Sequence, residues 1–313
     1  MLKRIQFLWE CLVDTFKEWN SSPASKYSAS LAYYAIFSIP GLLIIIIWIA
    51  GYFFGQDAIQ GEISKQIGQI MGSEVAKSIE QMIAGALIDK DNVFMKTVGV
   101  FSLVFGATTI FFQLQQALNE LWDIQPAPKK ALVKFLLDRA NSLGMILILG
   151  FLLMITMVLS SMISLFNNFI TSQLGWETYY LMEVVNFSMG FLLVMMVFAF
   201  MFKVLPDVEI SWKSVWSGAF LTSVLFTIGK FLLSLYFGEM KPTSAFGAAG
   251  TVILIMMWIN YSCMLIFFGA EFTKIYSYKK GFYIAPSKHA KWSATKLYHD
   301  QQRLEAEAKK REE

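Results

Sequence analysis

The sequence predicts an all-α integral membrane protein of six transmembrane helices, with both termini on the cytoplasmic side. Three observations carry that prediction. Of 313 residues, 56% are hydrophobic and 16% charged, whereas a soluble domain carries about 25% charge. The apolar residues fall into six blocks, about 31–54, 93–113, 142–166, 180–204, 214–237 and 247–270. Each is long enough for an α-helix to cross the ~30 Å hydrocarbon layer. Lysine and arginine then segregate: about twenty lie in the N-terminal segment, the 114–141 loop, the 203–213 turn and the tail from 271, and about four in the intervening loops. Backbone polar groups cannot face lipid unpaired, so blocks of this length must be helices. No alternating ten-residue pattern suggests a barrel. This composition excludes an ordinary cytosolic enzyme, a basic nucleic-acid-binding module and a disulfide-stapled secreted domain.

Residues 1–27 form the first element. Leu2, Ile5, Leu8, Trp9, Leu12, Phe16 and Trp19 recur at helical spacing with charges opposite, which predicts an amphipathic helix in the inner interface. Lys3 and Arg4 lead into this stretch rather than into an apolar core with a small-residue cleavage site, so it does not read as a signal peptide. The membrane domain covers 28–275. Between its first two spans, residues 57–88 repeat an apolar period (Ile59, Ile63, Ile67, Ile70, then Val75, Ile79, Leu87) around Gly72-Ser73, predicting an outer amphipathic helical hairpin.

The second span continues without a break to Trp122, and Gln125-Pro-Ala-Pro128 turns the chain. A basic segment with Lys129, Lys130, Lys134 and Arg139 leads into the third span, and Ser211 is placed to cap the fifth. The cytoplasmic tail, 276–313, mixes lysines with tyrosine and tryptophan, a composition suited to an anionic leaflet surface. Cys11 and Cys263 read as small semi-apolar side chains. Trp9, Trp19, Trp122, Trp176, Trp212 and Trp216 are expected at interfaces, Trp48 and Trp258 within the bundle.

Chemistry-bearing motifs are few. His289 and His299 both lie in the tail, without a cysteine or carboxylate cluster at ligand spacing, and there is no phosphate-binding glycine loop or nucleophile–base motif. The expectation is therefore no enzyme, no metal and no other cofactor. Lys230, inside the fifth span, is the strongest intramembrane signal. A lysine at helix centre costs about 2.5–3.5 kcal/mol on insertion scales, so such residues face a partner or a wet cavity. It lies about 10 Å below the outer end of its span. Glu183, with Asn186 one turn further in, is the candidate partner, and an anionic headgroup or an ion is the candidate ligand. Asp207 follows Leu205-Pro206 in a turn, and Glu271 reads as an interfacial carboxylate near Lys274. Gly51 with Gly55, and Gly247 with Gly250, are small-xxx-small or similar pairs that suit close helix packing and permit a homo-oligomer.

Four pieces of the chain carry a family resemblance. They are Ala29-Ser-Leu-Ala-Tyr-Tyr-Ala-Ile-Phe-Ser38-Ile-Pro40; Ala117-Leu-Asn119-Glu-Leu-Trp122; Leu205-Pro-Asp207 followed by Trp212 and Gly218-Ala219; and Gly247-Ala-Ala-Gly250, Trp258 and Gly269-Ala-Glu271. In this order and spacing the chain resembles the YihY/virulence factor BrkB family of bacterial inner-membrane proteins, formerly labelled ribonuclease BN. The resemblance implies a six-helix inner-membrane protein associated with envelope lipid handling, and it supplies no catalytic residues. It marks Ser38, Pro40, Asn119, Trp122, Asp207 and Glu271 as family-motif positions toward the inner face. The expected function is translocation of anionic lipid or a lipid-linked envelope precursor. Two alternatives stay open: a solute or ion transporter, and a scaffold for envelope-assembly proteins. Membrane lipids are the expected partners, and nucleic acid is not.

Overall fold

The structure, a computed structural model, describes residues 2–71, 75–77, 79–80, 93–128, 130–174, 177–240, 248–294 and 296–297. Eight long helices account for most of them: α1 (Leu2–Ser21), α2 (Ala24–Phe54), α3 (Gln56–Met71), α4 (Val93–Leu121), α5 (Ala131–Leu174), α6 (Glu177–Val204), α7 (Trp212–Met240) and α8 (Ala248–Lys280). Four contain stretches long and apolar enough to cross a membrane: Leu132–Ile155, Phe187–Val204, Trp212–Leu233 and Val252–Lys280. A fifth is α2, if its halves Ala24–Ile39 and Gly41–Phe54, bent by 51°, form one broken span. Pro40 stands at the break. It lacks the amide hydrogen an unbroken helix needs, and a proline ring crowds the carbonyl four residues back. The remaining expected span, 93–113, falls in α4, where the side chains of 93–100 lie outside the described residues.

The helices form a bundle in which α2 packs along α4 and α8, α6 bridges α5 and α7, and α8 lies between α7 and α1. Trp122, Phe202, Phe267, Leu118 and Leu205 are among its largest fully buried side chains. They gather at the end where α4 and α6 finish and α7 begins. Helix α1 turns Cys11 and Thr15 into the protein and leaves Ile5, Leu8, Trp9 and Phe16 exposed. In the expected outer hairpin, Ile59 and Ile63 of α3 are buried, as are Val75 and Ile79, and the Ser64 hydroxyl hydrogen-bonds the Glu80 carboxylate. The Gly72-Ser73 break and residues 81–88 lie outside the described residues.

The fold is not purely helical. Four three-residue strands, β1 (Ile124–Pro126), β2 (Val208–Ile210), β3 (Ile284–Pro286) and β4 (Ala290–Trp292), pair as two antiparallel ribbons, β1 with β4 and β2 with β3. Three residues are too few to show an alternating pattern, and each pair is all edge, which tolerates Pro126 and Pro286. The ribbons bind the loop after α4 and the turn after α6 to the chain beyond α8. Gly281 makes this return possible. At φ +66° it ends α8 in a Schellman motif, with Phe282 N–H donating to Ser277 O at 2.9 Å and Gly281 N–H to Tyr278 O at 3.1 Å. The N-terminal segment, both of these loops and the proximal tail thus meet at one end of the bundle, called here the inner end.

Two tryptophans depart from expectation. Trp122 is not interfacial but 1% exposed, and Trp48 is not packed in the bundle but 39% exposed. Trp258 does pack, edge-to-face on Phe226 at 5.9 Å, and Trp176 lies outside the described residues.

Candidate functional site

Helical spacing places Gln115 and Asn119 on one face near the end of α4, and Lys134 and Asp138 on one face at the start of α5. The turn after α6 brings Asp207 between them. The Lys134 ammonium lies 2.7 Å from both Asp207 carboxylate oxygens and 2.5 Å from Asp138 Oδ1. Asn119 clamps Asp207 twice: its amide donates to Oδ2 at 2.9 Å, and its carbonyl accepts from the Asp207 backbone N–H at 2.8 Å. Gln115 donates to Asp138 Oδ1 at 3.1 Å. Lys134 and Asp138 are buried. One ammonium therefore holds two carboxylates, and helix α4, helix α5 and the α6–α7 turn are locked at a single point. A cavity of about 220 Å³ adjoins the lock, with Ser287 and His289 of the tail also lining it.

A second tie closes the inner end beside α8. The Trp122 indole donates to the Ala270 carbonyl at 3.0 Å. Lys274 donates to the Leu121 carbonyl at 2.7 Å and pairs with Glu271 at 2.8 Å, with Glu18 at 3.7 Å and Asp123 at 3.9 Å. Glu271 is 1% exposed, so it is a buried partner rather than the interfacial carboxylate expected. Here α7 and α8 cross through two glycines. A Cβ on Gly218 would sit 1.7 Å from the Thr273 hydroxyl, and one on Gly269 would sit 1.8 Å from that of Thr222. Neither position has room for a side chain.

Lys230 belongs to a different region. It is half-buried on α7, next to Gly229, over which the Tyr261 ring lies so closely that a Cβ would meet its hydroxyl at 2.3 Å. Tyr261 in turn lines a groove of about 400 Å³ between α2, α7 and α8, with Ala29, Ala32, Leu233, Asn260 and the three methionines Met256, Met257 and Met264. Leu233 is one turn beyond Lys230 on the same helix, so the lysine neighbours the groove without being one of its lining residues. Its expected partners Glu183 and Asn186 lie outside the described side chains.

The other sequence-marked positions divide. Ser38 is buried, Pro40 marks the α2 bend although its ring lies outside the described side chains, and Gly250 is buried while Gly247 lies outside the described residues. Gly51 and Gly55 serve their own turn rather than a helix crossing. A Cβ on Gly51 would meet Gln56 Cγ at 2.8 Å, and Gly55, at φ +87°, caps α2 in open space. Sequence reasoning missed Gln115 and Asp138 and read Lys134 only as part of a basic segment, while Gly218 and Gly269 were marked only within motif pieces and not as a helix crossing. Among the described residues, no group of three or more His, Cys, Asp or Glu side chains is placed to hold a metal ion.

The motif residues thus converge at the inner end: Asn119 on Asp207, and Trp122 on the carbonyl before Glu271. The model of the family described as virulence factor BrkB matches residues 15–295, a stretch that includes all of them. The chain belongs to the virulence factor BrkB family. Similar proteins include a UPF0761 membrane protein of Haemophilus influenzae, 24% identical over 82% of this chain and 91% of its own length. A protein of Bacillus subtilis named as ribonuclease-like, YfkH, is 20% identical over 86% of this chain and 96% of its own. A UPF0761 membrane protein of Verminephrobacter eiseniae is 22% identical over 86% of this chain, which spans 62% of that longer relative. No solved structure matches.

Proposed function

We propose that this BrkB-family protein moves an anionic amphiphile, a phospholipid or a lipid-linked envelope precursor, between the leaflets of a bacterial inner membrane, and that it catalyses no reaction. The groove between α2, α7 and α8 carries this reading. Its methionine, alanine and leucine walls suit an acyl chain, Asn260 and Tyr261 offer hydrogen bonds, and Lys230 on its flank supplies the charge for a headgroup. In this reading α2 and α4 complete six spans, and the basic inner end with both termini faces the cytoplasm. The Lys134–Asp138–Asp207 lock keeps the inner end shut against water while the groove works. No nucleotide-binding loop is present in the sequence, so movement is passive, gradient-coupled or driven by a partner.

The lock also favours a second reading, proton or solute transport, because buried ionisable networks in membrane proteins line such paths. Proteoliposomes distinguish the two. Headgroup-labelled phosphatidylglycerol should exchange between leaflets with the wild-type chain and severalfold more slowly with Lys230→Leu, while the variant keeps its thermal stability. Exchange equal to empty vesicles, with ion flux that ignores lipid identity, overturns the lipid reading in favour of the second.

A further inference from the structure

Arg139 follows Asp138 in sequence but leaves α5 on another side. Its Nη1 donates to Thr108 Oγ1 of α4 at 2.7 Å, with longer contacts of 3.4 Å to the Phe105 carbonyl and to Thr109 Oγ1. The rings of Phe105, Phe112 and Phe135 stand 4.3, 5.3 and 5.4 Å from its Cζ. Nε is buried, and no acceptor reaches it among the described residues. The neighbouring carboxylate of Asp138 is already held by Lys134 and Gln115.

The direction of this side chain is informative. Gln115 marks the level of Asp138 on α4, and Thr108 lies seven residues nearer the middle of the membrane, about 10 Å. Helical side chains lean toward their helix's N-terminus, which for α5 is the inner end, and an arginine seeking water would snorkel that way. Arg139 instead reaches deeper, tied to α4. Phe105 and Phe135 are both more than 40% exposed, and so are Leu132 and Leu136. The rings that cover the guanidinium therefore belong to an apolar outer surface. A buried, unmatched N–H costs about 1–3 kcal/mol, more on a charged group, and a guanidinium edge matches phosphate oxygens two at a time.

We propose that Arg139, positioned by Thr108 and flanked by Phe105, Phe112 and Phe135, binds the phosphate of an anionic phospholipid from the cytoplasmic leaflet and draws it below headgroup level. The acyl chains lie along the exposed face formed by Leu132, Phe135 and Leu136. This rests on the reading that the chain handles lipid, but it concerns a different place from the Lys230 groove: an entry station on the α4–α5 side.

Native mass spectrometry of the full chain, released from nanodiscs of phosphatidylglycerol in phosphatidylcholine, tests it. The wild-type chain should retain phosphatidylglycerol in preference to phosphatidylcholine. Arg139→Gln should lower that retention about tenfold, the equivalent of one charge-assisted contact. Thr108→Val keeps the charge and loses its anchor, so it should fall between the two, and it carries the test if Arg139→Gln does not fold. Equal retention by wild type and a folded variant overturns the proposal. Displacement of the lipid by millimolar inorganic phosphate overturns it in favour of a free-anion site. Arg139-dependent retention without leaflet exchange in the wild type supports this site and overturns translocation; exchange that proceeds with Arg139-independent retention does the reverse.

Discussion

The inner-end lock and the groove between α2, α7 and α8 are built on opposite principles. At the inner end, polar side chains are spent on partners within the same chain: Lys134 on Asp138 and Asp207, Asn119 on Asp207, and in the second tie Trp122 on Ala270. Along the groove between α2, α7 and α8 the lining is mostly alanine, leucine and methionine, with Asn260 and Tyr261 as its polar side chains. The lock ties the helices together, and the groove is where the proposed lipid would enter between them. Substitutions should therefore separate into those that unfold the protein and those that leave it folded and idle.

The largest expected effect lies at the lock. Lys134→Met strands the buried carboxylate of Asp138 and the partly buried one of Asp207 and should cost about 3–5 kcal/mol, read as a lowered unfolding midpoint in detergent. Adding Asp138→Asn and Asp207→Asn should restore much of it, since neutral amides need no counter-charge. A loss no greater than at a surface lysine would erase the contrast between the two regions. Gly218→Ala comes next. Its Cβ would overlap the Thr273 hydroxyl, for about 1–3 kcal/mol of destabilisation. Gly144→Ala, on α5 with nothing within 4 Å of the new methyl, should be neutral or slightly stabilising, because alanine is the better helix former.

The smallest effect concerns α1. Lys279, hydrogen-bonded at 2.6 Å, holds the Asp14 carboxyl below its ordinary value of 3.8. A depressed carboxyl contributes its tie above the unfolded value and loses it as pH falls through the folded one. Amide exchange in α1 should accordingly quicken as the pH falls below the ordinary carboxyl value of 3.8, and Asp14→Asn should abolish the change. Because the pair is exposed, the shift should shrink in high salt.

Bilayer thickness imposes long apolar runs, so the existence and rough limits of the candidate spans could be read directly from composition. Asn119, Trp122, Asp207 and Glu271 were reachable through motif resemblance, although only the packed chain pairs Asn119 with Asp207. Lys134 and Arg139 looked like part of a basic surface segment. Apart from Asp138, one turn on from Lys134, their partners lie on α4 and in the α6–α7 turn, and nothing local to residues 129–139 reveals that. Gly218 and Gly269 stand as single glycines without a repeating small-residue period, while Gly51 and Gly55, which have that period, serve a turn. Spacing along one helix cannot say which neighbour approaches it.

Photocrosslinking tests the central claim most directly. A phosphatidylglycerol carrying a diazirine in its acyl chain, activated in proteoliposomes, should leave adducts concentrated on the peptides that hold Met256, Met257 and Met264 of α8 and Leu233 of α7. Lys230→Leu should reduce that yield without altering adducts on the outward residues Leu147 and Phe151 of α5. Adducts spread evenly over the exposed surface, with none enriched in the groove, would contradict the account.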